Sequence, residues 1–157
     1  DRDETLRRFL KMLGAVPADS VLVLAANDNV AAHFGELSAE WFRARKVRGA
    51  VIDGSTRDAA YISRMRFPTF VRYRTPQDSV GRWRVTDWGQ PLTIGGVRVA
   101  LGDIVVADWD GVVIVPRRAA HEVLVRCEKL VGAENKVRRA VKRGLTPLDA
   151  YEKFGSF

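Results

Sequence analysis

An arginine and an aspartate stand side by side at Arg57-Asp58. A guanidinium is a planar fork of donors that suits a carboxylate, and a carboxylate can hold a hard divalent cation. The two together could receive an anionic substrate and a metal ion. They follow Gly49-Ala50-Val51-Ile52, small and β-branched residues that predict a buried strand ending in a sharp turn at Asp53-Gly54. Ser55 or Thr56 then caps a short helix through Ala59, Ala60 and Ile62. The pair thus lies where a strand hands over to a helix, the edge at which α/β proteins collect ligands and catalytic groups. The same residues also fit a plainer role, with Asp58 complementing the helix dipole and Arg57 a solvated charge.

Upstream, His33-Phe34-Gly35-Glu36-Leu37-Ser38 leads into a predicted helix with Leu37, Trp41, Ala44 and Val47 on one side. A glycine turn lets backbone approach a ligand, and the unpaired N–H groups of a helix start form an anion site. His33 could act in catalysis, although a lone loop histidine is more often structural or solvated. Downstream, a long helix from about Arg117 to Lys142 carries an apolar stripe of Val123, Cys127, Leu130, Val137 and Val141, with Glu134 filling its gap. A carboxylate on such a stripe pairs with a basic neighbour, sits where the helix is open to water, or reaches into a site on a neighbouring subunit.

The elements that must position these groups can be read from periodicity. Leu6, Phe9, Leu10 and Leu13 predict a helix over Thr5 to Leu13, closed by Gly14 with Pro17 beyond. Val21 to Ala25 predicts a strand buried on both faces, followed by a loop at Asn27, Asp28 and Asn29. Phe67 to Tyr73 alternates as a strand. Arg72-Tyr73-Arg74 and Arg82-Trp83-Arg84 repeat a basic-aromatic-basic pattern, which fits a solvated face over a buried ring or a surface for single-stranded nucleic acid. Leu92 to Ile94, Val97 to Val99, Ile104 to Ala107 and Val112 to Val115 are β-rich and punctuated by Gly95-Gly96, Gly102-Asp103 and Asp110-Gly111, predicting a compact meander or barrel segment. Gly144 ends the long helix. Thr146-Pro147-Leu148-Asp149 starts a last short helix with N-cap, first-turn proline and capping box in place, docked by Tyr151 and Phe154.

The chain has 157 residues, enough for one domain with a real core. It is 46% hydrophobic and 29% charged, ordinary for a globular chain, with no apolar run long enough for a membrane span. The net charge of +7 admits anionic partners, from small carboxylates to nucleic acid. Cys127 is the sole cysteine, which excludes an internal disulfide framework and fits a reducing, cytoplasmic setting. With two histidines and one cysteine, a bound metal must be held mainly by oxygen, which favours Mg²⁺ or Mn²⁺ over Zn²⁺. The chain opens on Asp1 directly into a helix, so an upstream piece is expected to be absent from this sequence.

Three stretches taken in order carry a family resemblance: Gly35-Glu36-Leu37; Gly49 to Asp58; and Ile94-Gly95-Gly96-Val97 through Gly102-Asp103 to Asp108-Trp109-Asp110-Gly111-Val112-Val113. Together they resemble the RraA-like family, which holds divalent-metal-dependent 4-hydroxy-4-methyl-2-oxoglutarate / 4-carboxy-4-hydroxy-2-oxoadipate aldolases and regulators of RNase E activity. The similarity runs from about residue 18 to the C-terminus, and the ending Gly144-Leu145-Thr146-Pro147 through Phe154-Gly155 is similar to aldolase-branch members. The resemblance implies an α/β chain of the β/β/α swivelling type, a single domain over 1–157, with 117–157 as a C-terminal helical extension packing on a neighbouring subunit. It also implies a trimer or hexamer with active sites between subunits; no membrane partner is expected, and a small 2-oxo acid is favoured over nucleic acid as the ligand.

In the aldolase branch the aspartate of the Arg-Asp pair holds the metal and the arginine contacts the pyruvyl moiety. The resemblance therefore puts Asp58 on Mg²⁺ or Mn²⁺ and Arg57 on the substrate. It assigns the substrate carboxylate to the backbone of Gly35, Glu36, Leu37 and Ser38, and sets Glu36 near the metal's water shell. Glu134 is the best match to a glutamate that a neighbouring subunit lends to the site. The implied activity is that of a class II pyruvate aldolase and oxaloacetate decarboxylase, acting on a small 2-oxo acid through a metal-stabilised enolate. The regulator branch usually lacks the aspartate that this chain keeps at position 58, and it stands as the alternative, a non-enzymatic RNase regulator or binding module. Ala100-Leu101 before Gly102-Asp103, Ser38, and the arginine-rich Arg72 to Arg84 stretch depart from the family pattern.

Overall fold

Strands Val21–Ala25 (β1), Gly49–Thr56 (β2) and Thr69–Arg74 (β3) form a parallel sheet in the order β1-β2-β3 in the computed structural model, which describes residues 2–155 and 157. Parallel pairing demands crossovers, and helices Glu36–Ala44 (α2) and Ala59–Arg64 (α3) supply them. The helix Arg2–Ala15 (α1) precedes the sheet. As the central strand, β2 is buried at every residue but Asp53, whose carboxylate is half-buried, ion-paired with Arg72 and 3.4 Å from the Gly95 N–H. Such a strand does not alternate polar and apolar positions, which explains the run of small and β-branched residues from Gly49 to Ile52. The expected turn at Asp53-Gly54 is absent. The strand continues to Thr56, with a register shift between Ile52 and Ser55.

The chain divides into two compact units, Asp1–Ile114 and Val115–Phe157. The core of the first gathers Met12, Leu13, Leu22, Leu24, Phe42, Val47, Ile52, Ile62 and Phe67. Three rings lie at its centre, with Phe34–Phe42 centroids 5.7 Å apart and Phe34–Phe67 and Phe42–Phe67 both 6.2 Å apart. Truncating one such buried ring costs about 3–5 kcal/mol, so the backbone around Phe34 is firmly anchored.

Several faces differ from expectation. In β1 the burial alternates, with Leu22 and Leu24 inside and Val21, Val23 and Ala25 half-buried. That is the pattern of a strand covered fully on one face only. In α2 the buried residues are Ala39 and Phe42, while Leu37 and Trp41 face outward. In α1 the helix runs through Gly14, and Met12 and Leu13 are buried while Leu6 and Leu10 are exposed. Arg72 and Arg74 lie on one face of β3 with Tyr73 half-buried on the other. The Arg82-Trp83-Arg84 repeat is not a strand. Trp83 folds inward instead, donating its indole N–H to Ala26 O at 2.7 Å.

The four strand spans expected after Pro91 form as Leu92–Ile94 (β4), Val97–Val99 (β5), Ile104–Ala107 (β6) and Val112–Val115 (β7). They pair as two separate two-stranded sheets, β4-β5 and β6-β7, rather than as one meander or barrel. In the second unit the helix Ala120–Lys142 (α4) is followed by Pro147–Phe154 (α5). Thr146 caps α5 by accepting from the Asp149 N–H at 3.2 Å, as its sequence predicts. Ala150 and Phe154 bury the short helix, while Tyr151 stays exposed. Eight residues of helix reach only about 12 Å, so α5 cannot line the whole of α4. Along the expected stripe, Val137 is buried, Val123 and Val141 are half-buried, and Cys127 and Leu130 are exposed. The α/β architecture and the long C-terminal helix expected from the sequence are both present.

Candidate functional site

The site is built on the irregular end of β2. A Cβ at position 54 would stand 2.6 Å from His33 Nδ1 and 2.8 Å from the Ala26 Cβ, so Gly54 is there for close approach rather than for a turn. His33, only 1% exposed, fills that space. Its Nδ1 accepts the Ser55 N–H at 3.1 Å, which leaves Nε2 to carry the ring proton and donate to Asp28 Oδ2, also at 3.1 Å. The ring edge meets Trp83, centroids 4.9 Å apart. Ser55 Oγ donates to Ala31 O at 2.6 Å. The segment from Asp28 to Phe34 is thereby stitched to the end of β2.

Burial pushes the His33 imidazole below its ordinary value, against the opposing attraction of Asp28. The Asp28 carboxylate is itself held low, first by the Ala31 N–H at 2.8 Å and then by Val30 and His33. His33 is therefore a neutral, structural histidine that fixes backbone.

Immediately beyond, Arg57 N–H donates to Phe34 O at 2.9 Å. Thr56 Oγ1 lies 3.0 Å from the same oxygen and 2.9 Å from Arg57 O. Asp58 adopts φ 57°, ψ 28°, in the left-handed region, which aspartate enters more readily than most residues. It is the N-cap of α3 in place of the expected Ser55 or Thr56, whose hydroxyls are committed to backbone carbonyls. Its side chain does not cap α3. Oδ2 instead accepts the N–H of Glu36, at 3.1 Å, at the start of α2. The carboxylate thus complements the dipole of the helix before β2, not of the helix it begins.

Gly35 makes this contact possible. A Cβ there would lie 2.8 Å from Asp58 Oδ2 and 3.3 Å from both Cγ and Nε of Arg57. Arg57 Nε lies 3.7 Å from Asp58 Oδ2, and Nη1 lies 3.4 Å from Oδ1 of Asp78. The side chains of Arg57 and Asp58 are 45% and 38% exposed, open to a ligand. The structure therefore brings together Gly35, Glu36, Arg57 and Asp58. Of the amides expected to be free for an anion, that of Glu36 is taken by Asp58, while those of Leu37 and Ser38 have no partner among the described residues. The Leu37 side chain is 83% exposed. Glu134 belongs to the second unit, where it is exposed and lies 3.7 Å from Arg138, so no buried charge needs explaining on α4.

Asp28 and Asp78 carry no site role in the sequence reading, Ser55 is expected there only as a cap, and His33, weighed there as a catalytic group, serves the backbone instead. Gly54 beside a histidine-bearing loop was the available signal for His33, and Asp78 has only the turn-forming Thr75-Pro76-Gln77-Asp78 context.

Among the described residues no group of three or more His, Cys, Asp or Glu side chains gathers as a metal cage. Mg²⁺ does not require one, since it keeps several waters and commonly binds one or two carboxylates. Asp58 fits that demand. It is a half-exposed hard oxygen donor whose Oδ1 takes part in none of the contacts above.

A parallel three-stranded sheet with an Arg-Asp pair at the carboxyl end of its central strand defines an α/β protein with its site at a strand–helix junction. The chain belongs to the RraA-like family: the Aldolase/RraA family model matches residues 3–114. A Halalkalibacterium halodurans protein provisionally named 4-hydroxy-4-methyl-2-oxoglutarate aldolase is 28% identical over 140 residues, 89% of this chain and 66% of that one. An uncharacterized protein from Pseudomonas syringae pv. tomato superposes with a TM-score of 0.88 at 28% identity, covering 92% of this chain and 68% of the other. Streptomyces coelicolor RraAS2, described as an unusual member of the RNase ES inhibitor RraA protein family, gives 0.75 at 28% identity over 85% and 68% of the two chains. The chain thus spans just under two thirds of the length of its Halalkalibacterium relative. No helix among the described residues is long and apolar enough to cross a membrane.

Proposed function

We propose that this chain is a carbon–carbon lyase that cleaves a 4-hydroxy-2-oxo acid to pyruvate and also decarboxylates oxaloacetate, with Mg²⁺ or Mn²⁺ held by Asp58. The observation that carries this reading is the Asp58 carboxylate, turned away from its own helix and fixed by the Glu36 N–H beside Arg57. The bound cation would supply Lewis-acid stabilisation of the negative charge that develops on the 2-oxo group.

The rest falls to the chain. Breaking the C3–C4 bond sends its electron pair into the pyruvyl fragment, removes a proton from the 4-hydroxyl, and later returns one to C3. Arg57 binds and orients the pyruvyl part, its fixed fork matching a carboxylate or the oxygen where charge collects. The Leu37 and Ser38 amides at the start of α2 receive the substrate carboxylate. Glu36, half-buried at the first position of α2, and Glu134 from a neighbouring copy hold the water that carries the proton. The sites complete themselves between subunits of a cytoplasmic trimer or hexamer.

The likeness to RraAS2 supports a second reading, a non-enzymatic regulator binding an RNase or RNA through the arginine-rich stretch. One observation tells against it. Arg72 is committed to Asp53, and Arg82-Trp83-Arg84 adds no second basic strand beside it.

The test is pyruvate release from oxaloacetate and from 4-carboxy-4-hydroxy-2-oxoadipate, with Mg²⁺ and with a chelator. Magnesium-dependent release is expected. A folded oligomer that releases none from either substrate overturns the reading.

A further inference from the structure

We infer that Asp78, from the loop after β3, is a positioning residue that holds the Arg57 guanidinium and leaves its Nη2 for an anionic substrate. The inference rests on the reading of Arg57 as the group that receives the substrate anion.

Asp78 is itself well placed by backbone. Thr75 N–H donates to Thr56 O at 3.2 Å as β3 ends, and Gln77 O accepts the Ala32 N–H at 2.8 Å. Asp78 bridges Ala32, next to the buried His33. Its Oδ1 accepts the Val80 N–H at 3.2 Å, and the same oxygen lies 3.4 Å from Arg57 Nη1. The carboxylate is therefore fixed before Arg57 arrives, so only the arginine loses freedom when the pair forms. On its other side, Nε faces Asp58 Oδ2 at 3.7 Å. Two of the three guanidinium nitrogens thus face carboxylates of this chain. Nη2 is the nearest nitrogen to neither carboxylate and makes no hydrogen bond among the described residues.

Both partners are about half exposed, and exposed ion pairs contribute little to folding. The pair's effect is thus on where the guanidinium points rather than on whether the chain folds. A group oriented in advance binds its ligand without the ordering cost.

The test compares wild type with Asp78→Asn, which keeps an oxygen acceptor for the Val80 N–H and removes the charge. Phenylglyoxal modification of Arg57 is followed by peptide mass spectrometry, with Arg48, paired to Asp19, as internal control. The expected result is modification of Arg57 accelerated about two- to five-fold, the range an exposed ion pair can hold, with Arg48 and the melting temperature unchanged. The KM for oxaloacetate should rise by a similar factor while kcat changes less. An unchanged Arg57 modification rate overturns the inference. Asp78→Ser, whose hydroxyl also accepts from Val80 N–H, is the second variant should the first fail to fold, and is judged by the same rates. Failure of wild type to release pyruvate would count against the lyase reading alone, because the modification rate reports on Arg57 without turnover.

Discussion

Asp58 Oδ2 sits 3.1 Å from the backbone nitrogen of Glu36, and a methyl group on residue 35 would stand 2.8 Å from that same oxygen. The carboxylate proposed to hold the metal is oriented by one amide and admitted by one missing side chain.

Gly35→Ala should therefore damage the site and spare the fold. The backbone there is extended (φ −154°, ψ −176°), which alanine adopts freely. The three atoms nearest the new methyl all belong to the half-exposed side chains of Asp58 and Arg57, which can shift. Displacing a group that orients a metal ligand typically costs about 10–100-fold in metal affinity or activity. Calorimetric titration with Mn²⁺ and a thermal melt check both halves: affinity falls, and the melting temperature stays within a few degrees.

Asp58→Asn separates charge from shape. Asparagine tolerates the left-handed conformation and still offers an oxygen to the Glu36 N–H, so the melting temperature should hold or rise. Magnesium-dependent pyruvate release should drop by about a hundredfold or more, the scale of losing one electrostatic contact in an active site. Retained turnover would remove Asp58 from the metal's coordination.

Glu134 offers a test of sites shared between copies. Glu134→Gln and Arg57→Ala should each be inactive as pure proteins. Co-refolded in equal amounts, they should regain activity at about a quarter of the sites, because a site needs an intact Arg57 from one chain and an intact Glu134 from its neighbour. No recovery from properly assembled mixtures would take Glu134 out of the site.

His33 should make stability depend on pH in a defined direction. Burial holds the folded imidazole below its ordinary value, while the unfolded chain takes up its proton near pH 6.5. The stabilisation is thus complete above about pH 6.5 and is lost as pH falls through the lowered folded value. Asp28, also held low, contributes above the ordinary carboxylate range and loses its share only in more acid solution. Melting temperatures from pH 8 to pH 5 should fall for wild type. For His33→Gln, which keeps an acceptor and donors but does not titrate, they should be nearly flat. His33→Ala leaves the buried Ser55 N–H without a partner and should cost about 1–3 kcal/mol near neutral pH, and less in acid, where wild type loses the same acceptor.

Much of this was legible in the chain. The spans of β4 to β7 match their expected limits because glycines at φ 55° and 80° (Gly95, Gly96), 87° (Gly102) and 148° (Gly111) separate the strands. Thr146, Pro147 and Asp149 likewise announce α5 by local chemistry alone. What failed was non-local. Asp53-Gly54 has the form of a turn dipeptide, yet the glycine serves a histidine twenty-one residues upstream in the chain (54 minus 33). Leu37 and Trp41 looked like the inner face of α2, but the ring cluster selects Ala39 and Phe42. Asp78 reaches Arg57 only because β3 runs parallel to β2 and ends beside Thr56, which spacing cannot reveal.

The Ser55 amide has an imidazole nitrogen for its acceptor where a regular strand would offer a carbonyl oxygen. Its exchange with deuterated solvent should therefore answer to the protonation of one side chain as well as to opening of the sheet. Neighbouring amides of β2 would slow steadily as solvent is acidified, following hydroxide. Ser55 would depart from that line once His33 takes up a proton, giving a single-residue reporter on the backbone beneath Arg57 and Asp58.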